Sequence, residues 1–209
     1  MTKQRHFIQA AFLLLFFGLI ATGRVQLWIG VFAISLIGTF LFSRFYCGWL
    51  CPINTLMEVV NWFKQKTGSR RKQIPGWIKS PVVRYGVLAA FAGILVMTVR
   101  TGRKLPVLPA LLVLGVLVTL VYGPVLWHRY LCPYGTILSL PGSFARSKYV
   151  VVQDRCTGCG VCGKVCPAEA VQFSADPKKA GISPSRCLTC TTCASACPTN
   201  AIVYGRGES

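Results

Sequence analysis

Two segments near the carboxy terminus, CTGCGVCGKVCP (156–167) and CLTCTTCASACP (187–198), share one spacing, C-x₂-C-x₂-C-x₃-C-P. Three closely spaced thiolates wrap one face of a cubane, and the Cys-Pro turn sends the fourth across to a neighbour; this is the bacterial two-cluster pattern. The spacing predicts one [4Fe–4S] cluster on Cys156, Cys159, Cys162 and Cys197, and a second on Cys187, Cys190, Cys193 and Cys166. Zinc favours paired C-x₂-C units and disulfides favour an oxidising compartment, so both suit this pattern less well. Cys166–Phe173 also matches Cys197–Tyr204 at an offset of 31 residues. Each copy reads as a short strand, a cysteine loop with a helix, and a closing strand. Residues 149–209 are therefore expected to form a small α+β ferredoxin-like domain.

The rest of the chain has a different character. Of 209 residues, 53% are hydrophobic, too many for an ordinary soluble domain. Two apolar stretches have the length needed to cross a bilayer, Val25–Tyr46 and Leu105–Trp127, and two others are near the lower limit, Phe7–Ala21 and Val82–Val99. Residues 1–148 are thus expected to be an all-α membrane domain of four transmembrane helices. Lys3 and Arg5 before the first stretch resemble the front of a signal peptide. Thr22-Gly23-Arg24 is a poor cleavage site, however, and a second span follows at once, so a retained helix is expected.

A net charge of +18 raises the question of nucleic acid. The position of the charges argues for another cause. With the amino terminus inside, the short outer hairpins hold Arg24, Arg100, Arg103 and Lys104, and the inner segments hold the rest. The run Lys64, Lys66, Arg70, Arg71, Lys72 and Lys79 lies in the inner loop 52–81. This is the positive-inside asymmetry, and it predicts an inner-membrane protein with both termini and the cysteine-rich tail in the cytoplasm, and no nucleic-acid partner.

The membrane part repeats internally. RHFIQAAFLLLFFGLIATGR (5–24) aligns with RYGVLAAFAGILVMTVRTGR (84–103), and RFYCGWLCPINTL then lies over LWHRYLCPYGTIL. Cys51, Pro52 and Thr55 fall on Cys132, Pro133 and Thr136, while His128 takes the place of Cys47. Two tandem helical hairpins are expected, with both Cys-Pro motifs on the cytoplasmic side. Tyr46, Trp49, Trp62, Trp127, Tyr130 and Tyr134 would form an interfacial aromatic belt there.

On a helix, positions i and i+4 share a face, so Cys47/Cys51 and His128/Cys132 could each offer two ligands. Three sulfurs with one imidazole suit an iron–sulfur cluster or zinc, and one ligand fewer suits copper. Redox-active thiols are an alternative if Pro52 opens a helix whose amino terminus favours the thiolate. Small buried apolar side chains are another. Glu58, the only acidic residue before Asp154, lies in PINTLMEVVNWFKQK, which reads as an amphipathic interfacial helix. Glu58 and His128 are candidate proton acceptors beside a redox centre.

Four spans, CGWLCP, a second cysteine-proline motif after the fourth span and a two-cluster tail together resemble the membrane quinol dehydrogenase component of periplasmic nitrate reductase systems. The wider group includes polyferredoxin-type membrane proteins such as the nitrous oxide reductase regulator and the cytochrome oxidase assembly ferredoxins. His128 departs from the second C-x₃-C-P of many relatives. The resemblance implies electron transfer between membrane quinol and a redox partner protein, with quinone and lipid as the membrane-side partners. The motifs would receive electrons and Glu58 or His128 a proton. A metal or thiol accessory factor using Cys47, Cys51 and Cys132, and a membrane anchor for a soluble redox enzyme, are the other functions weighed.

Overall fold

The computed structural model describes residues 2–68, 72–101, 106–175 and 179–206. Arg70, Arg71, Arg103, Lys104 and Leu105 lie outside the described residues. The chain gathers into two compact units that do not follow its linear order: residues 1–51 with 138–209, and residues 52–137.

The first unit begins with α1 (Thr2–Ala21) and α2 (Trp28–Phe42). Both show the bilayer large apolar side chains, among them Phe7, Leu14, Ile34 and Ile37, a surface that water would penalise and lipid does not. The windows Lys3–Ala21, Val25–Phe42 and Pro81–Thr98 are long and apolar enough to cross a membrane. The second span ends earlier than Tyr46. At Ser43 the backbone turns to φ 59°, and the hydroxyl donates to the Pro184 carbonyl (3.1 Å), so tertiary bonding replaces helix continuation. A π-helical turn, Tyr46–Leu50, follows.

In the second unit α3 (Pro52–Lys66) is the amphipathic helix expected from its sequence, burying Pro52, Ile53, Asn54 and Met57. It packs against α5 (Val107–Tyr122), where Gly115 leaves room for Ile53 and the Trp127 ring. The helix α4 (Pro81–Thr101) precedes α5. Because α5 stops at Gly123 (φ 92°), it is shorter than the predicted Leu105–Trp127. A short α6 (Pro124–Leu126), a second π-helical turn (Trp127–Leu131) and α7 (Pro133–Ser143) complete the motif.

The internal repeat is therefore structural. Each copy has an apolar helix, a break, a π turn, an extended cysteine and a proline that opens the next helix. The Cys51 amide donates to the Tyr46 carbonyl (2.9 Å) and the Cys132 amide to the Trp127 carbonyl (2.8 Å), the same i to i−5 bond twice. The first helix of each copy packs on the turn of its own copy.

The aromatic belt is not found. Tyr46 and Trp127 are each 1% exposed and Tyr130 is buried. Tyr46 accepts a hydrogen bond from Trp28 (2.8 Å), and Tyr134 is half-buried against Phe91. Tyr46, Trp127 and Tyr130 belong to the π turns, which fold these rings inward. Trp62 is exposed, with the Lys66 ammonium 4.7 Å from its ring centre.

The tail returns to the first unit. Strand β1 (Ser147–Val151) pairs antiparallel with β4 (Ile202–Arg206), and β2 (Val171–Phe173) pairs with β3 (Ala180–Ile182). Each copy supplies one strand to each pair, with the short helices α8 (Val161–Val165) and α9 (Thr192–Ser195) between. Tyr149, Cys162, Ala170, Ala180, Cys187, Cys193 and Ile202 form the buried core. Asp176, Lys178 and Glu208 lie outside the described residues.

Candidate functional site

The tail folds its eight cysteines around two separate pockets. One is lined by Cys156, Cys159, Cys162 and Cys197, the other by Cys166, Cys187, Cys190 and Cys193. Antiparallel strand pairing crosses the two copies and carries each fourth cysteine to the opposite loop. The loops share a backbone pattern: Gly158 and Gly160 have φ of 68° and 79°, and Thr189 and Thr191 occupy the same places at 51° and 66°. A β-branched residue with positive φ is strained, and strain of this kind persists where the surrounding structure fixes the loop.

Backbone amides point at the sulfurs. Ala170 N–H donates to Cys166 Sγ (3.2 Å), Thr189 N–H to Cys187 Sγ (3.4 Å) and Ala201 N–H to Cys197 Sγ (3.4 Å). Donors of this type stabilise thiolates and tune a bound cluster. Burial pushes the Cys187 thiol up to about 12, opposed by the Thr189 amide and the Arg44 charge and assisted by Cys190 and Cys166. Burial likewise raises Cys190 and Cys193. For Cys197 the upward push of burial is outweighed by hydrogen bonds from Thr199 and Ala201, and its thiol is lowered. Ligation needs thiolates, so in the second set metal binding and deprotonation are coupled.

The donor sets fit [4Fe–4S] chemistry. Each pocket offers four sulfurs and no carboxylate or imidazole. Among the described residues no three His, Cys, Asp or Glu groups converge enough to hold a single ion. Zinc would need four ligands within about 2.3 Å of one point, whereas a cubane holds its thiolates further apart.

The second cysteine loop is seated on the first π turn. Arg44 donates to the carbonyls of Ser185 (3.1 Å) and Arg186 (3.4 Å), Trp49 Nε1 to that of Thr189 (3.0 Å), and Tyr204 to that of Phe42 (3.3 Å). Gly48 is the point of closest approach: a Cβ there would come nearer than 3.0 Å to the Leu188 carbonyl oxygen. From the other side Arg5 Nε and Gln9 Nε2 each donate to the Gly48 carbonyl at 3.0 Å. Arg5 and Arg44, 4% and 3% exposed, place buried positive charge beside the second quartet: Arg44 favours the Cys187 thiolate and Arg5 that of Cys190.

Sequence reasoning did not single out Arg5, Gln9, Arg44 or Gly48. The available signal was a polar pair four residues apart in an apolar helix, which is expensive unless both groups have partners. The repeat has an echo here, since Arg84, which aligns with Arg5, donates to Thr136 Oγ1 (3.2 Å) in its own unit.

The remaining candidates fall in different units. Cys47 and Cys51 belong to the first and are buried, with Arg44 Nη2 3.8 Å from Cys47 Sγ. Cys47 lies within the π turn, and Cys51, which ends it, is extended (φ −71°, ψ 117°). In the second unit His128 and Cys132 are buried, and Cys132 Sγ accepts the Gly135 N–H (3.3 Å) in the manner of a helix cap. Glu58 is half-buried and accepts a bond from Asn54 Nδ2 (2.8 Å). Pro52 and Pro133 do open helices, as the thiol reading required.

Comparison with known proteins followed the same division. A family model described as a 4Fe-4S binding domain matches twice, at residues 24–70 and 105–150, over the two repeat copies. A second, described as a 4Fe-4S dicluster domain, matches residues 155–201. Relatives include the methylamine utilization ferredoxin-type protein MauN of Methylobacillus flagellatus, 33% identical over 61% of this chain and 50% of its own. The ferredoxin-type protein NapH of Haemophilus influenzae is 29% identical over 68% and 54%. The protein NirI of Paracoccus denitrificans is 27% identical over 60% and 21%. The chain spans about half the length of the curated relatives it matches. No solved structure gives a significant match.

Proposed function

We propose that this chain, a homologue of ferredoxin-type electron-transport proteins with 4Fe–4S domains, carries electrons between the membrane quinone pool and a redox partner protein. The observation that carries the reading is the seating of one cysteine quartet directly on a turn at the end of apolar helices. An electron centre in that quartet lies next to the membrane edge, and the other quartet belongs to the same small domain. When bound, two [4Fe–4S] clusters supply single-electron carriers, one on Cys156, Cys159, Cys162 and Cys197 and one on Cys166, Cys187, Cys190 and Cys193. The residues of the chain hold and tune them. The amides of Ala170, Thr189 and Ala201 and the charges of Arg5 and Arg44 favour the more reduced, more negative state, and so raise potentials toward the range a quinol can reach.

In this reading the apolar helix Val107–Tyr122 joins the three longer ones as a fourth span, and both termini lie in the cytoplasm, in keeping with the charge asymmetry. Glu58 and His128 are proposed proton acceptors for quinol oxidation. A second reading has one specific observation in its favour: the 4Fe-4S binding domain matches cover both membrane-edge motifs. Under it Cys47, Cys51, His128 and Cys132 handle metal or redox equivalents themselves, and Cys47→Ser would lower the metal content of purified protein.

The test is anaerobic. Purified protein in nanodiscs is mixed with menaquinol or ubiquinol and followed by low-temperature EPR. Reduced-cluster signals on quinol addition are expected. Clusters that respond to dithionite, but neither to quinol nor to quinone, would remove the basis of the reading.

A further inference from the structure

We propose that an aromatic pocket at the foot of α1 and α2 is the binding site for the ring of a membrane quinone; the proposal rests on the quinone reading above and names where that substrate is held. The pocket has a volume of about 310 Å³ and is walled by Phe42, Phe45, Trp49, Tyr149, Thr189 and Tyr204. That volume is at the small end of ligand sites, which are mostly apolar with a few polar groups.

Four features define the occupant. The walls are mainly aromatic, which suits a flat conjugated ring better than a branched or charged molecule. Ile8 and Trp49 also line an adjoining open groove with Lys3, Gln4 and Phe7, the last 77% exposed; its Phe7–Ile8–Trp49 wall gives an isoprenoid tail an apolar side to follow out. A quinone carbonyl accepts a hydrogen bond and a quinol hydroxyl can also donate. Tyr149, only 6% exposed as a residue, lines the pocket, and its hydroxyl can donate to a quinone carbonyl or accept from a quinol hydroxyl.

The fourth feature is position. Tyr149 lines both this pocket and the pocket of Cys166, Cys187, Cys190 and Cys193. Thr189, which also lines the pocket, sits in the chain between Cys187 and Cys190. A ring in the pocket is therefore separated from the second quartet by one layer of side chains. A lipid acyl chain would use the apolar walls but has no use for the hydroxyl or for the neighbouring thiolates. Glu58 and His128 are not among the lining residues.

The experiment uses the full-length, cluster-loaded protein in nanodiscs, with photoreactive isoprenoid benzoquinone and naphthoquinone probes. Labelled sites are mapped by mass spectrometry, with and without excess unlabelled quinone. Competable labelling of Trp49, Tyr149 or Tyr204 is expected. Tyr149→Phe, which removes only the hydroxyl, should weaken it about fivefold, the equivalent of one hydrogen bond, with iron content and dithionite-reduced EPR unchanged. Label at the pocket that excess quinone does not displace would assign it to lipid and overturn the proposal. Competable label confined to residues 52–137, with quinol still reducing the clusters, would overturn the site and leave the quinone function standing. No competable label anywhere, together with no reduction by quinol, would remove both.

Discussion

Gly48→Ala tests whether the tail is held on the membrane-edge turn by close backbone contact. The added methyl would come within 3.0 Å of the Leu188 carbonyl oxygen and 3.3 Å of the Cys190 nitrogen. Both neighbours are backbone and cannot swing aside. For ordinary contact the Leu188–Cys190 segment must retreat by roughly 1 Å, which as overpacking costs about 1–3 kcal/mol. The same retreat stretches the bond from Trp49 to Thr189 and those from Arg44 to Ser185 and Arg186, each worth about 1 kcal/mol. Docking should weaken by about 2–4 kcal/mol in all, a factor of at least ten in the undocked population. Hydrogen exchange at the amides of 185–190 should speed up accordingly, and because Cys190 moves with the segment, iron content is measured in parallel to separate undocking from loss of the cluster. Gly30→Ala in α2, where a methyl meets nothing within 4 Å, is the control and should leave exchange in the tail unaltered. Unchanged protection of 185–190 in Gly48→Ala would refute the docking argument.

Other outcomes follow from the same geometry. Cys197→Ser should perturb the cluster held by Cys156, Cys159 and Cys162 and leave that of the second loop intact, and Cys166→Ser should do the reverse; EPR of the dithionite-reduced proteins distinguishes them, and an effect confined to each mutant's own loop would reject the crossed ligand sets. Arg44→Gln removes a buried positive charge beside Cys187, so a potentiometric EPR titration should show one of two midpoint potentials lowered and the other unmoved. Because Cys132 Sγ caps the start of α7, Cys132→Ser should keep thermal stability close to that of the parent whereas Cys132→Ala loses about 1 kcal/mol; equal losses in both would show that the cap contributes nothing.

The parts of this protein that were legible in its sequence depend on local spacing. Cysteines three and four residues apart determine which thiols share a loop, and a continuous apolar run long enough to cross the bilayer becomes a helix in lipid, because a helix satisfies its backbone groups within the one segment. The amphipathic helix Pro52–Lys66 and the internal repeat were readable for the same reason. Tertiary contacts decided the rest. Helix α2 stops at Phe42 because Ser43 bonds a carbonyl 141 residues away, and no local pattern announces that. Nor does any local pattern announce the π turns Tyr46–Leu50 and Trp127–Leu131, whose first residues, Tyr46 and Trp127, are buried instead of lying at the interface. Arg5 read as a flanking charge until Gly48, 43 residues on, supplied its partner. Composition and spacing by themselves determined a membrane chain with a two-cluster type of tail; only the fold decided which cysteine loop rests on the membrane edge, since that turns on the missing side chain of one glycine and on carbonyls brought there from the far end of the chain.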